Sequence, residues 1–466
     1  MIKTGLKTKL KSFIEDRQKE KIEDFGHLNP SLWNLKLADG ELRTNNFSFS
    51  EIEKSYGSPL FIVDETKVRE NAKIFLNEFQ KQIPEIETFF SYKTNSVPGM
   101  LKIFHSEGFG AEVTSEYELW LAQKLGVKPE KIIFDGRAKS VASLENAVNS
   151  QIRLINIDTF EEIERLKSVT EKLGKSIDVG IRIQTGEGWK GQFGFSIAKN
   201  EAFEAVKKIS ETKNLNFIAL HFHLGTLIKR LSKYTVALDS AFSFAVSLKE
   251  KLGLEVKIFD IGGGYGVPTV KQVLNSEQEL SDRIGVPVFP PQDVNFPSYK
   301  DFANAIGEKN RELSNKFSFA PKFFCEPGRI VASSAQSLLL KVVEIKERSD
   351  SPTIAIMNGG MNIASPLRGE YKEAFAVNKM EETERINYKI VGPTCNPGDT
   401  LYPAKFFPKL NVGDLVLVVD AGAYFTSYSN SFCFPKPAII VVNDKKHYLS
   451  RKAETFDYIN QNDLEF

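Results

Sequence analysis

Residues 325–329 read Cys-Glu-Pro-Gly-Arg and follow directly on the apolar pair Phe323-Phe324. The pattern predicts a strand that stops at a carboxylate, a turn and a guanidinium. Glu326 is a negative charge at the strand's end. Pro327-Gly328 turns the chain and lets the backbone approach a ligand closely. Arg329 supplies a planar fork suited to phosphate. One short segment thus offers partners for both ends of a phosphorylated, nitrogen-containing ring.

Three further segments carry chemistry of a matching kind. Lys93, in Ser-Tyr-Lys-Thr-Asn, ends an apolar run. In partly desolvated surroundings such an amine loses its proton more readily and forms Schiff bases; by itself it is a solvated lysine. Asp260-Ile-Gly-Gly-Gly places three glycines in succession, so that backbone N–H groups can converge on an anion; by itself it is a flexible turn. His221-Phe-His223-Leu-Gly-Thr226 puts two imidazoles on one side of a strand. His223 suits stacking on a planar ring, Thr226 suits donation to phosphate, and His221 also reads as a hydrogen-bonded core histidine. No third ligand for a zinc ion accompanies the pair, and no metal is expected.

These residues need a frame that brings strand ends together. From about residue 87, short apolar runs alternate with stretches of helical period. The runs are Thr88–Tyr92, Gly110–Thr114, Ile132–Asp135, Leu154–Ile157, Val179–Ile183, Phe217–Phe222, Ile258–Ile261 and Phe323–Glu326. Amphipathic stretches such as Ser115–Leu125, Phe160–Leu173 and Ser232–Leu252 lie between them. The pattern predicts a (β/α)8 barrel of the TIM type, over an open doubly wound sheet. Chemistry in such barrels sits at the strands' C-terminal ends. Read in order, those ends carry Lys93, Glu112, Gly136 with Lys139, Asn156 with Asp158, Arg182, His223, Gly262 to Gly264, and Glu326 with Arg329.

Thr269 to Ser298 breaks the rhythm with a polar, proline-bearing stretch, expected as a surface excursion. After residue 332 strands alternate with turns and little helix, which predicts a separate β domain of barrel-like or sandwich form. The expected division is 1–32 as a helical extension, 33–63 as a β segment joining the β domain, 64–332 as the barrel and 333–466 as the β domain. The barrel would then be inserted into the β domain.

The chain has 466 residues and a net charge of +1, which gives no electrostatic case for nucleic acid or membrane. The lysine-rich N-terminus is interrupted by acids and followed by no apolar core, unlike a signal peptide. Three scattered cysteines, Cys325, Cys395 and Cys433, suggest no disulfide framework, so the cytoplasm is the expected compartment.

As a set, Ser-Tyr-Lys-Thr-Asn at 91–95, His223-Leu-Gly-Thr226, Asp260-Ile-Gly-Gly-Gly, Glu326-Pro-Gly-Arg329, Gly392-Pro-Thr-Cys395 and Gly422-Ala-Tyr424 resemble the fold-type III pyridoxal-phosphate decarboxylases. Diaminopimelate and ornithine decarboxylases are the best-known members. The likeness runs in order from about Pro59 to Lys452. It implies pyridoxal 5'-phosphate in Schiff-base linkage to Lys93, with His223 stacked on its ring and Glu326 facing the ring nitrogen. Gly262, Gly263, Gly264, Gly328, Arg329 and Tyr424 would hold the phosphate. Cys395 resembles the cysteine that enters the site from a partner subunit and protonates Cα, which implies a homodimer with shared active sites. Glu112 stands where the family usually has aspartate. A carboxylate about 4 Å from the ring nitrogen favours the pyridinium by ~4 kcal/mol at an effective dielectric of about 20, which suits decarboxylation over racemisation.

Substrate-facing motifs depart from the pattern. Diaminopimelate decarboxylases usually carry Cys-Glu-Ser; here Cys395 is followed by Asn396-Pro397. The Arg-Pro-x-Leu-Tyr stretch that clamps the second carboxylate is replaced, leaving Arg368 in a different register. Cys-x-Pro-x-Asp (Cys395 to Asp399) looks more like decarboxylases of secondary pathways. The expected substrate is therefore an amino acid with an altered or conjugated distal end, possible carrier linkage included, and Arg329, Arg368, Asn396 and Tyr424 are the expected contacts. The alternatives are a meso-diaminopimelate decarboxylase of lysine biosynthesis, a non-catalytic cofactor-binding homologue and a racemase.

Overall fold

A computed structural model describes residues 28–189, 191–291, 295–347 and 352–464. Most of the expected N-terminal extension, residues 1–27, lies outside the described residues. The chain divides into two compact units. One comprises Arg69–Val267 with Asn295–Val331; the other comprises the chain up to Val68 with Pro268–Val294 and Ala332–Phe466.

The first unit is the barrel. Its strands are β1 (Glu87–Ser91), β2 (Gly110–Val113), β3 (Ile132–Phe134), β4 (Leu154–Ile157), β5 (Ile177–Gln184), β6 (Leu215–His221), β7 (Ile258–Asp260) and β8 (Lys322–Cys325). Neighbours pair in parallel from β1 through β8, β8 returns to β1, and the ring is closed. The connecting helices start and stop where the sequence supplies caps. Ser115 and Thr159 accept from the backbone N–H of Glu118 and Glu162, satisfying donors the first helical turn leaves open. Gly174 and Gly253 end their helices at φ 63° and 68°, a conformation glycine adopts without steric cost.

Strand alternation sorts the barrel interior into layers. Phe89, Ile133, Leu154, Ala219, Ile258 and Phe324, from six of the strands, form one buried apolar cluster. Two residues further along each strand, on the same side by the period of two, stand Ser91, Asp135, Asn156, His221, Asp260 and Glu326. Glu112 and Arg182 hold the equivalent places after Gly110 and Gly180 on β2 and β5. All eight of these polar residues are buried. An apolar plug is thus overlaid by a polar layer at the C-terminal mouth. Glycine is required beneath it: a Cβ on Gly180 would fall 2.3 Å from Asn156 Oδ1.

The second unit is sheet-rich. Strand Leu60–Asp64 pairs antiparallel with Gln336–Lys346 and parallel with Ala438–Val442, so N-terminal and C-terminal segments share one sheet. Trp33, Leu42, Phe49, Ile62, Leu339, Phe375, Leu417 and Ile440 pack into its core. Trp33 places its indole N–H on Asp420 Oδ2 at 2.9 Å, which answers the one polar atom that its burial would otherwise strand.

The excursion expected over Thr269 to Ser298 has regular structure. Lys271–Gln272 pairs antiparallel with Glu370–Tyr371, and Asn275–Ile284 is helical with Gly285 as its cap. The segment up to Val294 groups with the sheet-rich unit. Its prolines signalled a loop, but all of them follow the helix rather than interrupt it. Among the described residues no helix is long and apolar enough to cross a membrane.

Candidate active site

Lys93 sits in the short helical turn Tyr92–Thr94 that follows β1. Its Nζ lies 2.9 and 2.8 Å from the two oxygens of Glu112, the fully buried carboxylate at the end of β2. Ser91 donates its hydroxyl to the same carboxylate. Register makes the arrangement: Ser91 pairs with Glu112 across β1 and β2.

The mouth is completed by β6, β7 and β8. Gly262 and Gly264 adopt φ 61° and 88°, and the backbone N–H of Gly263 donates to His223 Nδ1 at 3.3 Å. Tyr234 steadies the turn by donating to the Gly263 carbonyl at 2.9 Å. A Cβ on Gly263 would meet the Glu326 carbonyl oxygen at 2.2 Å, so the two loops touch backbone to backbone. Gly328 is packed the same way, 2.1 Å from Thr94 Oγ1 had it a Cβ. Arg329 is buried beside it, and Thr226 is exposed.

Burial pushes the His223 imidazole well below its ordinary range, with the Lys93 and Arg182 charges adding to the effect. A neutral ring accepting at Nδ1 is suited to stacking. Trp189 leans over the same imidazole, with ring centroids 5.9 Å apart.

Glu326 is buried, with its Oε1 3.2 Å from His221 Nε2 and its Oε2 3.7 Å from His223 Nδ1. Burial, then the neighbouring Asp260 charge, raises its carboxyl well above the ordinary range. Asp260 is raised to about 8, by burial and then by Asp135. Such a group gains by meeting a basic nitrogen.

The residues present fit a phosphorylated pyridine aldehyde. Glu326 Oε1 is a buried oxygen without a hydrogen-bond donor among the described residues. The glycine turns would be filled by any Cβ, leaving backbone to face the ligand, and the Lys93 amine stands at the mouth.

Other expected strand-end residues have structural work. Lys139 is sealed in the interior, donating to Glu162 at 2.6 Å and to the Asn156 carbonyl at 2.8 Å. Asp158 accepts from the Gly194 backbone at 2.9 Å. Arg182 lies over the Phe193 ring at 4.3 Å. Asp135 was missed in the sequence because the run Ile132–Asp135 counted it as strand; stepping two residues from Ile133 would have found it.

Cys395, Asn396, Arg368 and Tyr424 belong to the sheet-rich unit. Cys395 is exposed. Arg368 and Asn396 line a cavity of about 270 Å³ with Asn362, Ser365 and Asn430. Asn396 turns its side-chain oxygen onto the Gly398 backbone at 2.8 Å. Asp399 is buried and pins the loop, accepting from the backbones of Met361 and Thr394 at 2.7 and 2.8 Å. The acid of the Cys-x-Pro-x-Asp motif is thus a loop anchor. Tyr424 stands at φ 70° at the start of helix Phe425–Tyr428 and stacks on Tyr428 at 5.9 Å.

The comparisons with known proteins agree with this architecture. The family described as pyridoxal-dependent decarboxylase, pyridoxal binding domain, matches residues 69–333. A diaminopimelate decarboxylase of Aquifex aeolicus is 28% identical over 446 residues, covering 92% of this chain and 97% of that protein. One from Bacillus subtilis is 26% identical over 442 residues, covering 92% and 96%. The crystal structure of the Methanocaldococcus jannaschii enzyme with L-lysine superposes with a TM-score of 0.83 at 24% identity, over 92% of this chain and 97% of that one, a likeness of fold. The chain belongs to the fold-type III pyridoxal-phosphate-dependent decarboxylases, and its cofactor is pyridoxal phosphate.

Proposed function

We propose that the chain removes the α-carboxylate of meso-diaminopimelate, the runner-up in the sequence reading. The observation that carries it is likeness to diaminopimelate decarboxylases along more than nine-tenths of their length. The guanidinium of Arg368 supports it: it is exposed in a cavity whose lining also includes Asn362, Thr394, Asn396 and the loop-anchoring Asp399, and it offers a second carboxylate a charged partner.

When bound, the cofactor supplies an electron sink for the pair released with carbon dioxide. Lys93 provides the amine that attaches it, held in place by Glu112. Glu326 would be the carboxylate partner of the ring nitrogen, and His223, as a neutral imidazole, would stack on the ring. Gly262, Gly263, Gly264, Gly328, Arg329, Thr226 and Tyr424 would be the residues that hold the phosphate. Cys395, supplied by a second copy in a homodimer, delivers the proton to Cα; its exposure is consistent with that role.

A second reading, an amino acid with a conjugated distal end, draws on Asn396. No carboxylate follows Cys395, and the Asn396 oxygen is engaged by Gly398. A substrate panel separates the two. Carbon dioxide release from meso-diaminopimelate, with L-lysine as product, supports the first. Turnover confined to N-acylated or carrier-linked amino acids replaces it with the second.

A further inference from the structure

Beneath the Glu326 carboxylate the barrel holds more acid than one ring nitrogen needs. One polar atom from each of Asp135, His221, Asp260 and Glu326 lies within 4.8 Å of the other three, and all four residues are buried. The donors reaching this group from the protein are few. The Asn156 amide gives one hydrogen to Asp135 Oδ1 at 2.8 Å and the other to Asp260 Oδ2 at 3.3 Å. The Gly262 backbone gives one to Asp260 Oδ1 at 3.1 Å. Asp135 Oδ2 and Glu326 Oε1 receive none among the described residues.

His221 does not settle the shortfall. Its Nε2 is 3.2 Å from Glu326 Oε1 and 3.7 Å from Asp135 Oδ2, outside hydrogen-bond geometry to either. Burial, then Arg182, His223 and Lys93 in that order, keep it from carrying a second proton. Two bare carboxylates facing each other without a donor in a dry interior repel, so a proton between them is the economical solution.

Taking Glu326 as the ring-nitrogen partner, as proposed above, we infer that Asp135 is a protonated acid that donates to Glu326 Oε1. It is a positioning residue. It does not touch the cofactor; it stabilises Glu326 as the anion, and the anion holds the proton on the ring nitrogen. Without that donor Glu326 is the stronger base and takes the proton back, leaving a neutral ring. Burial and then Glu326 raise Asp135 well above the carboxylate range; Glu326 is itself raised, by burial and then Asp260, and the hydrogen bond from Asp135 acts against that rise.

The test uses holoenzyme carrying cofactor labelled with nitrogen-15 in the ring. Wild type and Asp135→Asn, whose amide keeps an N–H donor at the same place, are expected to give the pyridinium chemical shift. Asp135→Leu, isosteric but without a donor, is expected to move it to the neutral-pyridine position at unchanged cofactor content. A pyridinium shift retained in Asp135→Leu but lost in Glu326→Gln overturns the inference and leaves the Glu326 assignment standing. A shift unmoved by either substitution overturns both. Should Asp135→Leu fail to fold, infrared spectra decide: wild-type holoenzyme is expected to show a protonated carboxylic-acid C=O band that Asp135→Asn lacks. Identical spectra in that region contradict the inference.

Discussion

Lys93 Nζ lies within hydrogen-bonding distance of both oxygens of Glu112, a carboxylate with no exposed surface on the neighbouring strand. A buried anion beside the amine proposed to carry the cofactor favours the protonated form of whatever nitrogen stands there. Glu112→Gln keeps the shape and removes the charge. The visible band of the lysine-bound cofactor should then titrate at lower pH, by about 1–3 units, the range for a close opposite charge. A spectrophotometric pH titration reads this directly, and an unmoved midpoint would remove Glu112 from the electrostatics of the site.

Asp260 links the site to stability. Its folded pKa is about 8, raised by burial first and then by Asp135. The unfolded chain releases the same proton near pH 4. Between those values the folded state holds the extra proton, so this group's contribution to stability is present below about pH 4 and is lost as pH rises through 8. Asp135, Glu326 and Glu112 face it from β3, β8 and β2, Gly262 donates to it, and Asp135 and Glu326 are raised in the same direction. Cofactor-free protein should therefore melt at progressively lower temperature from pH 5 to 8. Asp260→Asn should flatten that decline, as measured by circular dichroism.

Gly328 has no room for a side chain because Thr94 Oγ1 occupies the place of its Cβ. Gly328→Ala should cost about 1–3 kcal/mol, as overpacking does, and weaken cofactor retention. The double substitution Gly328→Ala with Thr94→Ala should recover part of both. Cofactor content after dialysis, measured against the two single variants, gives the coupling.

Arg368 bears on substrate choice. If it meets a distal carboxylate, Arg368→Ala removes a charge-assisted contact worth about 1.5–3 kcal/mol, or roughly 10–100-fold in KM for meso-diaminopimelate. Turnover at saturation should change less. An unchanged KM would assign recognition of that end to other residues. Cys395→Ala, by contrast, should slow kcat and leave cofactor content intact.

Much of this was legible in the sequence because strands end abruptly at chemistry. Lys93, His223, the three glycines at 262–264 and Glu326 each follow an apolar run, and the closed barrel brings those run ends to one mouth. Lys139 and Asp158 occupy similar places in the sequence yet serve packing, since whether a strand-end side chain meets a ligand or a neighbour depends on non-local partners such as Glu162 and Gly194. Asp135 was hidden because a carboxylate closing a strand looks like a solvated end until the neighbouring strands bury it. Asp399 entered the sequence reading only as part of a motif; Gly360 and Gly392 pack against its carboxylate, which makes it a loop anchor that only the fold could reveal. Helix Asn275–Ile284 was obscured by the prolines that follow it.

The attachment point of the cofactor is the test closest to the centre. Borohydride reduction of the holoenzyme, proteolysis and mass spectrometry should place one pyridoxyl group on the peptide that contains Lys93, with no adduct in Lys93→Ala. An adduct on a different lysine of the wild-type protein, or none at all, would contradict the assignment from which every other role in the site is derived.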